Sequence, residues 1–339
     1  MLQVLDLNHK KEWNEVIQSM NEYDFYHQAE YHQLDQSGKA QLLYFRNSNT
    51  FFAVPVIVRN IEGTIYKDIT SVYGYAGPLS KELNPNKKDV LLFQNELKKY
   101  FDQNHIITVF SRLHPLFQNQ EILLKNLGEI EDVNATVGVD LTLPKSEQRS
   151  QYSHSLKNDI NRLEKEGIYV KQAQTKKEID AFVAIYHENM KRVNASEKYY
   201  FSNPYFYDFL KSIHSTLLLA YLNDELISGS LYTAYNGIVQ SHLSATHGDY
   251  LTYSPLKYLW DKIRIWGVKE KMNYLHLGGG YGGQDDSLYA FKSQFSKQRF
   301  MFKVWKYVHD ETIYNELVSQ KYGDNIPVTS FFPLYRYRE

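Results

Sequence analysis

The chain has 339 residues, 43% of them apolar, and a formal net charge of −1 at pH 7. This length exceeds one typical domain, and the near-zero charge argues against a bulk nucleic-acid or membrane-binding surface. The absence of cysteine excludes disulfides, thiolate nucleophiles and cysteine-ligated metal sites. No signal peptide is visible, and no apolar run reaches the roughly 18–20 residues of a membrane span, so we expect a cytoplasmic protein.

The first half of the sequence predicts a mixture of strands and helices. Apolar alternation and helical spacing predict strands over 2–7, 41–45, 51–58, 64–69 and 106–110, and helices over 9–20, 25–34 and 88–103. The strand over 64–69 leads into an aromatic and glycine-rich loop, Tyr73-Gly74-Tyr75-Ala76-Gly77-Pro78.

The second half predicts the same order of elements. Strands are expected over 137–141, 217–222, 226–235, 238–245, 274–277 and 300–308, and helices over 155–167, 176–193, 204–213 and 255–266. Asn236-Gly237 is a strong β-hairpin signal. The repeated order predicts two α/β domains, 1–142 and 143–315, followed by an irregular tail, 316–339, that packs back on a domain.

One stretch combines a strand end, glycines and a helix start. The strand over 274–277 is followed by five glycines within 278–283, and then by a helix that carries Lys292. Asp285 and Asp286 suit the helix N-terminus, and Leu288, Phe291 and Phe295 have helical apolar spacing. The stretch is neither a P-loop nor a dinucleotide-binding fingerprint. It is either a flexible connection or the wall of a ligand site.

The order of a meander, a helix, a strand and a closing helix–strand pair resembles the acetyltransferase fold of the GNAT superfamily. Two such domains, together with the glycine loop and Phe291-Lys292, resemble the Fem family of non-ribosomal peptidyltransferases, which add amino acids to peptidoglycan precursors. Three further motifs are similar to the family's: Tyr186-His187-Glu188-Asn189-Met190-Lys191-Arg192, Tyr199-Tyr200-Phe201, and the loop from Tyr73 to Pro78. The resemblance implies two tandem GNAT-like domains with mixed, mostly antiparallel sheets.

The resemblance also implies site residues. Lys292 corresponds to the family lysine that faces the reacting centre, and Arg192 to an arginine near the acceptor's phosphates. The other expected substrate-binding residues are Tyr73, Tyr75, Arg112, Tyr200, His242, Gly279, Gly280, Asp286 and Ser287. The alternatives are an exposed helix lysine at 292, a helix-capping arginine at 192, a chain turn at Arg112 and a structural histidine at 242; the general base is open between His242 and His247. No Asp, Glu or His grouping has metal-binding spacing.

Two departures from the families affect the donor. Residues 196–215 are too few for the helical arm that Fem enzymes often carry. The acetyl-CoA loop of the GNAT fold, expected around 246–256, retains one glycine, Gly248, where a pyrophosphate needs several open N–H groups. The donor is therefore aminoacyl-tRNA or acyl-CoA, and no tightly bound cofactor is expected.

The main hypothesis is a transferase that forms an amide on an amine of a cell-envelope precursor, either peptidoglycan or surface polysaccharide. The expected partners are that precursor and charged tRNA, with no DNA; the oligomeric state is open. One alternative is an acyl-CoA-dependent N-acetyltransferase acting on an amino sugar. Another is a non-catalytic pseudo-transferase that binds a glycan or a partner protein.

Overall fold

The computed structural model describes residues 1–47, 50–280 and 286–338, apart from the side chain of Lys198. The chain forms two compact units. The first contains Met1–Val133 and Met301–Glu339, and the second contains Asn134–Phe300. This division differs from the expected boundaries at 142 and 315, because the chain after residue 300 packs with the first unit.

The first unit begins with a sheet and four helices. Its strands are β1 (Leu2–Asp6), β2 (Lys39–Asn47), β3 (Thr50–Asn60), β4 (Lys67–Thr70), β5 (Leu79–Ser80) and β6 (Ile106–Arg112), and its helices are α1 (Lys10–Gln18), α2 (Ala29–Gln33), α3 (Lys87–Gln103) and α4 (Asn119–Leu124). The strand order is β1-β2-β3-β4-β6, with β5 paired to β3. The pair β4–β6 is parallel, and the pairs β1–β2, β2–β3 and β3–β4 are antiparallel.

The second unit repeats this plan. After β7 (Glu129–Asp140), it contains α5 (Lys145–Ser150), α6 (His154–Lys165), β8 (Tyr169–Gln172), α7 (Lys176–Arg192), α8 (Asn203–Ser212), β9 (Ser215–Leu222), β10 (Glu225–Tyr235), β11 (Ile238–Thr246), α9 (Pro255–Lys269), β12 (Tyr274–Gly278) and α10 (Ser287–Ser293). Its sheet has the order β7-β12-β11-β10-β9-β8. Only β11–β12 is parallel among these pairs. Two units of similar plan, each with a mixed and mostly antiparallel sheet, are thus confirmed.

Each sheet is covered by helices that bury apolar faces. In the first unit, Phe93 and Leu97 of α3 pack with Phe52 and Val109 of the sheet. In the second unit, the central helix α9 buries Leu259, Trp260 and Ile263 against β11 and β12. The hairpin prediction at Asn236-Gly237 is confirmed: Tyr235 pairs with Ile238, and both turn residues have positive φ, of 42° and 80°.

The tail is not irregular throughout, which corrects the sequence prediction. The strand β13 (Arg299–Val308) pairs with β6 and is followed by α11 (Glu311–Tyr322). Leu317 and Val318 of α11 pack with Ile61, Ile107 and Tyr335. The prediction that the tail packs back on a domain is therefore confirmed, and its helix was missed because only a short apolar face is buried. In the described part of the chain, no helix is both long and apolar enough to cross a membrane.

Candidate active site

The sheet of the second unit opens between β11 and β12. These strands pair in parallel from Ile238 and Tyr274 as far as Gln240 and His276. Beyond this point β11 continues along β10 to Thr246, whereas β12 continues along β7 to Gly278. We call the gap between Ser241–Thr246 and Leu277–Gly280 the sheet opening. Along this gap β11 and β12 are not paired with each other.

The end of β12 is shaped by glycine. A bulge at Leu277 shifts the register against β7, and Gly278 then has φ of 75°, a conformation that favours glycine. A Cβ atom at Gly279 would stand 3.2 Å from the Ala135 carbonyl oxygen. The glycines therefore let β12 turn away from β11 while keeping its backbone against β7.

The short helix α10 is anchored beside the sheet opening. Asp286 is its N-cap, because a carboxylate oxygen of Asp286 accepts from the Tyr289 N–H at 2.8 Å. Phe291 and Phe295 pack edge-on against Trp260 of α9, with ring centroids 5.4 and 5.5 Å away. The prediction that Leu288 belongs to this apolar face is wrong, since its side chain is exposed.

This anchoring directs Lys292 towards the end of β12. Its ammonium nitrogen Nζ donates to the Gly279 carbonyl oxygen at 2.6 Å. Part of the side chain reaches solvent, but burial of the ammonium end lowers the pKa of Lys292 to about 8, and the nearby Asp286 carboxylate partly opposes this shift. An ammonium group has three N–H donors, so up to two remain for a carbonyl placed in the sheet opening.

A second group of candidate residues lies on the other face of the same sheet. Gly229 of β10 faces Phe182 of α7, whereas its neighbour Ser230 accepts from the Trp260 indole N–H of α9. Successive strand residues point to opposite faces, so α7 and α9 cover opposite faces. Arg192 and Tyr200, at and after the end of α7, are both exposed.

The segment that carries Tyr200 is fixed by α7. The Tyr186 hydroxyl donates to the Tyr199 carbonyl at 2.6 Å, and His187 Nε2 donates to the Phe201 carbonyl at 2.7 Å. Tyr200 lies between these two anchored carbonyls, with its ring 6.1 Å from the His187 ring. This arrangement presents an aromatic side chain to solvent on a held backbone, which is compatible with the predicted substrate contact.

His242 borders the sheet opening, but its ring packs into α8. It stacks on Phe209 at a centroid distance of 4.8 Å, and its Nε2 shares a hydrogen bond of 3.1 Å with the Tyr205 hydroxyl. Burial lowers the pKa of His242 to about 3, so the ring is neutral at physiological pH. These contacts are those of a structural histidine, and its role in substrate binding or as a base stays a prediction.

The remaining candidates, Tyr73, Tyr75 and Arg112, belong to the first unit. The Tyr31 hydroxyl donates to the Tyr73 carbonyl at 2.9 Å, and the Arg112 N–H donates to Ser71 Oγ at 3.2 Å. The chain leaves β4 at Thr70 and pairs again beside β6 through an Ala76–Leu113 bridge. The loop is thus held in place with Tyr73 partly exposed, and a substrate-binding role for the three side chains stays a prediction.

Part of the predicted site lies next to the residues that the structure does not describe, or among them. Gly280 and Ser287 flank the segment 281–285, and the expected contributions of Gly282, Gly283 and Asp285 lie outside the described residues. Within the described ranges, no group of three or more His, Asp or Glu could hold a metal ion. Sequence reasoning missed His276, whose only signal is a polar residue in the middle of an apolar strand.

Comparisons with known proteins agree with this fold. Residues 150–293 match the family model described as an acetyltransferase (GNAT) domain. No curated protein matches the chain in a sequence comparison. The solved structure of FemX is similar over 93% of this chain and 99% of that chain, with a TM-score of 0.73 and 10% identity.

Two further structures share the fold. L-PGS from Bacillus licheniformis is 13% identical, with a TM-score of 0.58 over 91% of this chain and 96% of that chain. A conserved protein of unknown function from Bacteroides thetaiotaomicron is 12% identical, with a TM-score of 0.60 over 91% of this chain and 100% of that chain. The chain therefore has a fold similar to that of FemX, with two tandem GNAT-like units, and residues 150–293 of its second unit match an acetyltransferase (GNAT) domain.

The pKa of Lys292 makes a pH dependence testable. If the ammonium form acts in transfer, it is present below about pH 8 and is lost as the pH rises through that value. The turnover number at saturating substrate should then fall about tenfold for each further pH unit. Lys292→Arg stays charged over this range and should lack the decline. A pH–rate profile of both proteins checks this, and an activity that rises through pH 8 only in the wild type would instead identify neutral Lys292 as a base.

Proposed function

We propose that this protein transfers an aminoacyl group from a charged tRNA to an amine of a cell-envelope precursor, forming an amide bond. The observation that carries the proposal is the Lys292 ammonium held at the Gly279 carbonyl, beside the sheet opening of a GNAT-fold unit. The FemX-like fold and the resemblance of the sequence motifs to the Fem family support a peptidoglycan precursor as the acceptor.

The reaction follows from the placement of Lys292. A neutral amine of the acceptor attacks the carbonyl carbon of the aminoacyl ester, and the carbonyl oxygen becomes an oxyanion. Lys292 donates a hydrogen bond to this oxyanion and stabilises its charge. The C–O ester bond then breaks, the tRNA hydroxyl leaves with a proton, and the new C–N bond is the amide. The attacking amine supplies the proton that the tRNA hydroxyl takes up, so no proton is gained or lost overall.

The region before α9 argues against CoA as the donor. In the GNAT fold, the CoA pyrophosphate is held by open backbone N–H groups before the central helix. Here the Gly248 N–H donates to Glu188 Oε1 at 3.2 Å and the Asp249 N–H to His247 Nδ1 at 3.3 Å. The N–H groups of Tyr250, Ser254 and Lys257 donate to backbone carbonyls of the same segment.

Helix α6 further occupies this region. Arg162 donates to the Tyr253 carbonyl at 3.1 Å, and Asp159 forms an ion pair of 2.6 Å with Lys257 in the first turn of α9. These bonds give the Arg162 and Lys257 cations protein partners, so a pyrophosphate would have to compete with those partners.

We therefore expect weak binding of acetyl-CoA. Isothermal titration of the intact protein with acetyl-CoA should give a Kd above roughly 1 mM, equivalent to less than about 4 kcal/mol of binding free energy. A well-characterised CoA-dependent GNAT enzyme, titrated in the same buffer, serves as the positive control. Micromolar binding by this protein would instead support the acyl-CoA N-acetyltransferase, with an amino sugar as the acceptor.

The acceptor is tested in the organism that encodes the protein. Deleting the gene should leave a peptidoglycan precursor lighter by the mass of one amino-acid residue, and a plasmid copy of the wild-type gene should restore the mass. A Lys292→Met copy should not restore it. Unchanged precursor masses in the deletion strain would refute the peptidoglycan acceptor and direct the search to surface polysaccharides.

A further inference from the structure

A buried histidine lies at the point where β11 and β12 part. His276 is completely buried in the middle of β12, and it belongs to the last residue pair, with Gln240, before the sheet opening. Its neighbours in the strand, Leu275 and Leu277, are apolar core residues. Burying a polar ring in such a strand costs free energy unless its nitrogens form hydrogen bonds. The partners of the His276 ring therefore stabilise this part of the strand.

The His276 ring connects three adjacent strands. Its Nδ1 lies 2.9 Å from the amide oxygen Oε1 of Gln240 on β11, and its Nε2 lies 2.8 Å from Thr136 Oγ1 on β7. The Thr136 hydroxyl in turn donates to the Phe300 carbonyl at 2.9 Å. Gln240 and Thr136 are also buried, so the chain of hydrogen bonds is shielded from water.

The direction of these hydrogen bonds follows from the groups involved. The amide oxygen Oε1 of Gln240 only accepts, so His276 donates to it through Nδ1–H. At the other ring nitrogen, Nε2 shares a hydrogen bond with the Thr136 hydroxyl. Both ring nitrogens are therefore tied to neighbouring strands.

The same residues contact the segment that holds Lys292. Residue 276 immediately precedes the bulge at Leu277, and Gly279 follows three positions later. A Cβ at Gly279 would be 3.7 Å from Thr136 Cγ2, so Thr136 bonds His276 with its hydroxyl and borders Gly279 with its methyl group. A shift of Thr136 or His276 would move the carbonyl that accepts from Lys292.

We propose that His276 is a positioning residue of the transfer site: by bonding Gln240 and Thr136, it fixes where β11 and β12 part and where the Gly279 carbonyl meets Lys292. The predicted effect on turnover rests on the proposed function, whereas the predicted effect on the titration of Lys292 does not. His276 does not contact the reacting atoms, and it acts only through the backbone of β12.

The test measures Lys292 without any transfer substrate. Competitive labelling with acetic anhydride at a series of pH values, read by mass spectrometry of the peptide that contains Lys292, gives the midpoint of its titration. His276→Leu removes both ring bonds, and Thr136→Val removes the bond to His276 together with the bond to the Phe300 carbonyl at nearly constant shape. In both variants the midpoint should rise from about 8 by at least roughly one unit, towards the ordinary lysine value of ~10.4. His276→Gln, whose amide nitrogen replaces Nε2, should restore most of the wild-type value.

The matched control is His32→Leu, which removes another completely buried histidine, in α2 of the first unit. It should destabilise the protein without moving the Lys292 midpoint. If His276→Leu does not fold, Thr136→Val decides the question. An unchanged midpoint in folded Thr136→Val and His276→Leu would overturn the inference.

Turnover provides the second measurement. In the transfer assay, Thr136→Val should lower kcat by up to about 100-fold at a nearly unchanged KM, because only the position of Lys292 is affected. A shifted midpoint in a protein whose wild type transfers nothing would refute the proposed function while supporting the positioning role. A higher KM at an unchanged kcat, together with an unchanged titration midpoint of Lys292, would contradict the positioning role.

Discussion

Replacing Lys292 with methionine is expected to lower the turnover number about 10²–10³-fold with little change in KM. The expected loss is that of one preorganised donor to a developing oxyanion, worth ~2.7–4 kcal/mol. Methionine keeps much of the length of the side chain and its packing beside Phe291, but it cannot donate to the Gly279 carbonyl or to the reacting oxygen. Steady-state transfer from charged tRNA to the peptidoglycan precursor measures the effect.

The control for this variant is Lys297→Met, which removes a lysine from an exposed position five residues further along the chain. It should leave the turnover number within about a factor of two, because exposed side chains away from the site contribute little. Wild-type turnover by Lys292→Met would remove Lys292 from the site. Equal losses in both variants would indicate a general effect of charge rather than a role in the reaction.

Phe295→Ala is expected to lower the free energy of unfolding by about 3–5 kcal/mol, the usual cost of truncating a buried phenylalanine. Phe295 is completely buried and contacts Trp260 of α9 and Tyr152, with ring centroids 5.5 Å away in both cases. It also lies two residues after the end of α10. The substitution should therefore both destabilise the second unit and loosen the helix that holds Lys292, as chemical denaturation and the labelling of Lys292 would show.

Phe182→Ala is the matched comparison for Phe295→Ala. Phe182 is equally buried, in α7 on the opposite face of the sheet, where it packs against Gly229 and Phe206. It should cost a similar free energy of unfolding but leave the titration midpoint of Lys292 unchanged. If both variants shifted the titration midpoint of Lys292 equally, Phe295 would not be a local anchor of α10.

Much of the fold follows from local sequence patterns. The hairpin at Asn236-Gly237 and the helices over 88–103 and 176–193 were predicted nearly to their ends, because turn chemistry and apolar periodicity are local. The short edge strand β8 and the first half of β7 were not predicted. The strand β8 is four residues long and mostly exposed, and the first half of β7 is also largely exposed. Neither has the apolar alternation on which a strand prediction depends.

The site was only partly predictable for the same reason. The strand end, the glycines, the Asp286 N-cap and the apolar anchors of Lys292 are consecutive in the sequence, so their proximity followed from local structure. The bonds between His276, Gln240 and Thr136 join residues up to 140 positions apart, and only the strand order β7-β12-β11 brings them together. The Gly248 N–H before α9 likewise bonds Glu188 from α7, which no local pattern indicates.

The most direct test of the central claim is the mass of a peptidoglycan precursor after incubation with the purified protein and a complete set of charged tRNAs. The proposed function predicts a gain equal to one amino-acid residue with the wild-type protein and a strongly reduced gain with Lys292→Met. No gain from any charged tRNA, together with an acetyl mass added to an amino sugar from acetyl-CoA, would contradict it.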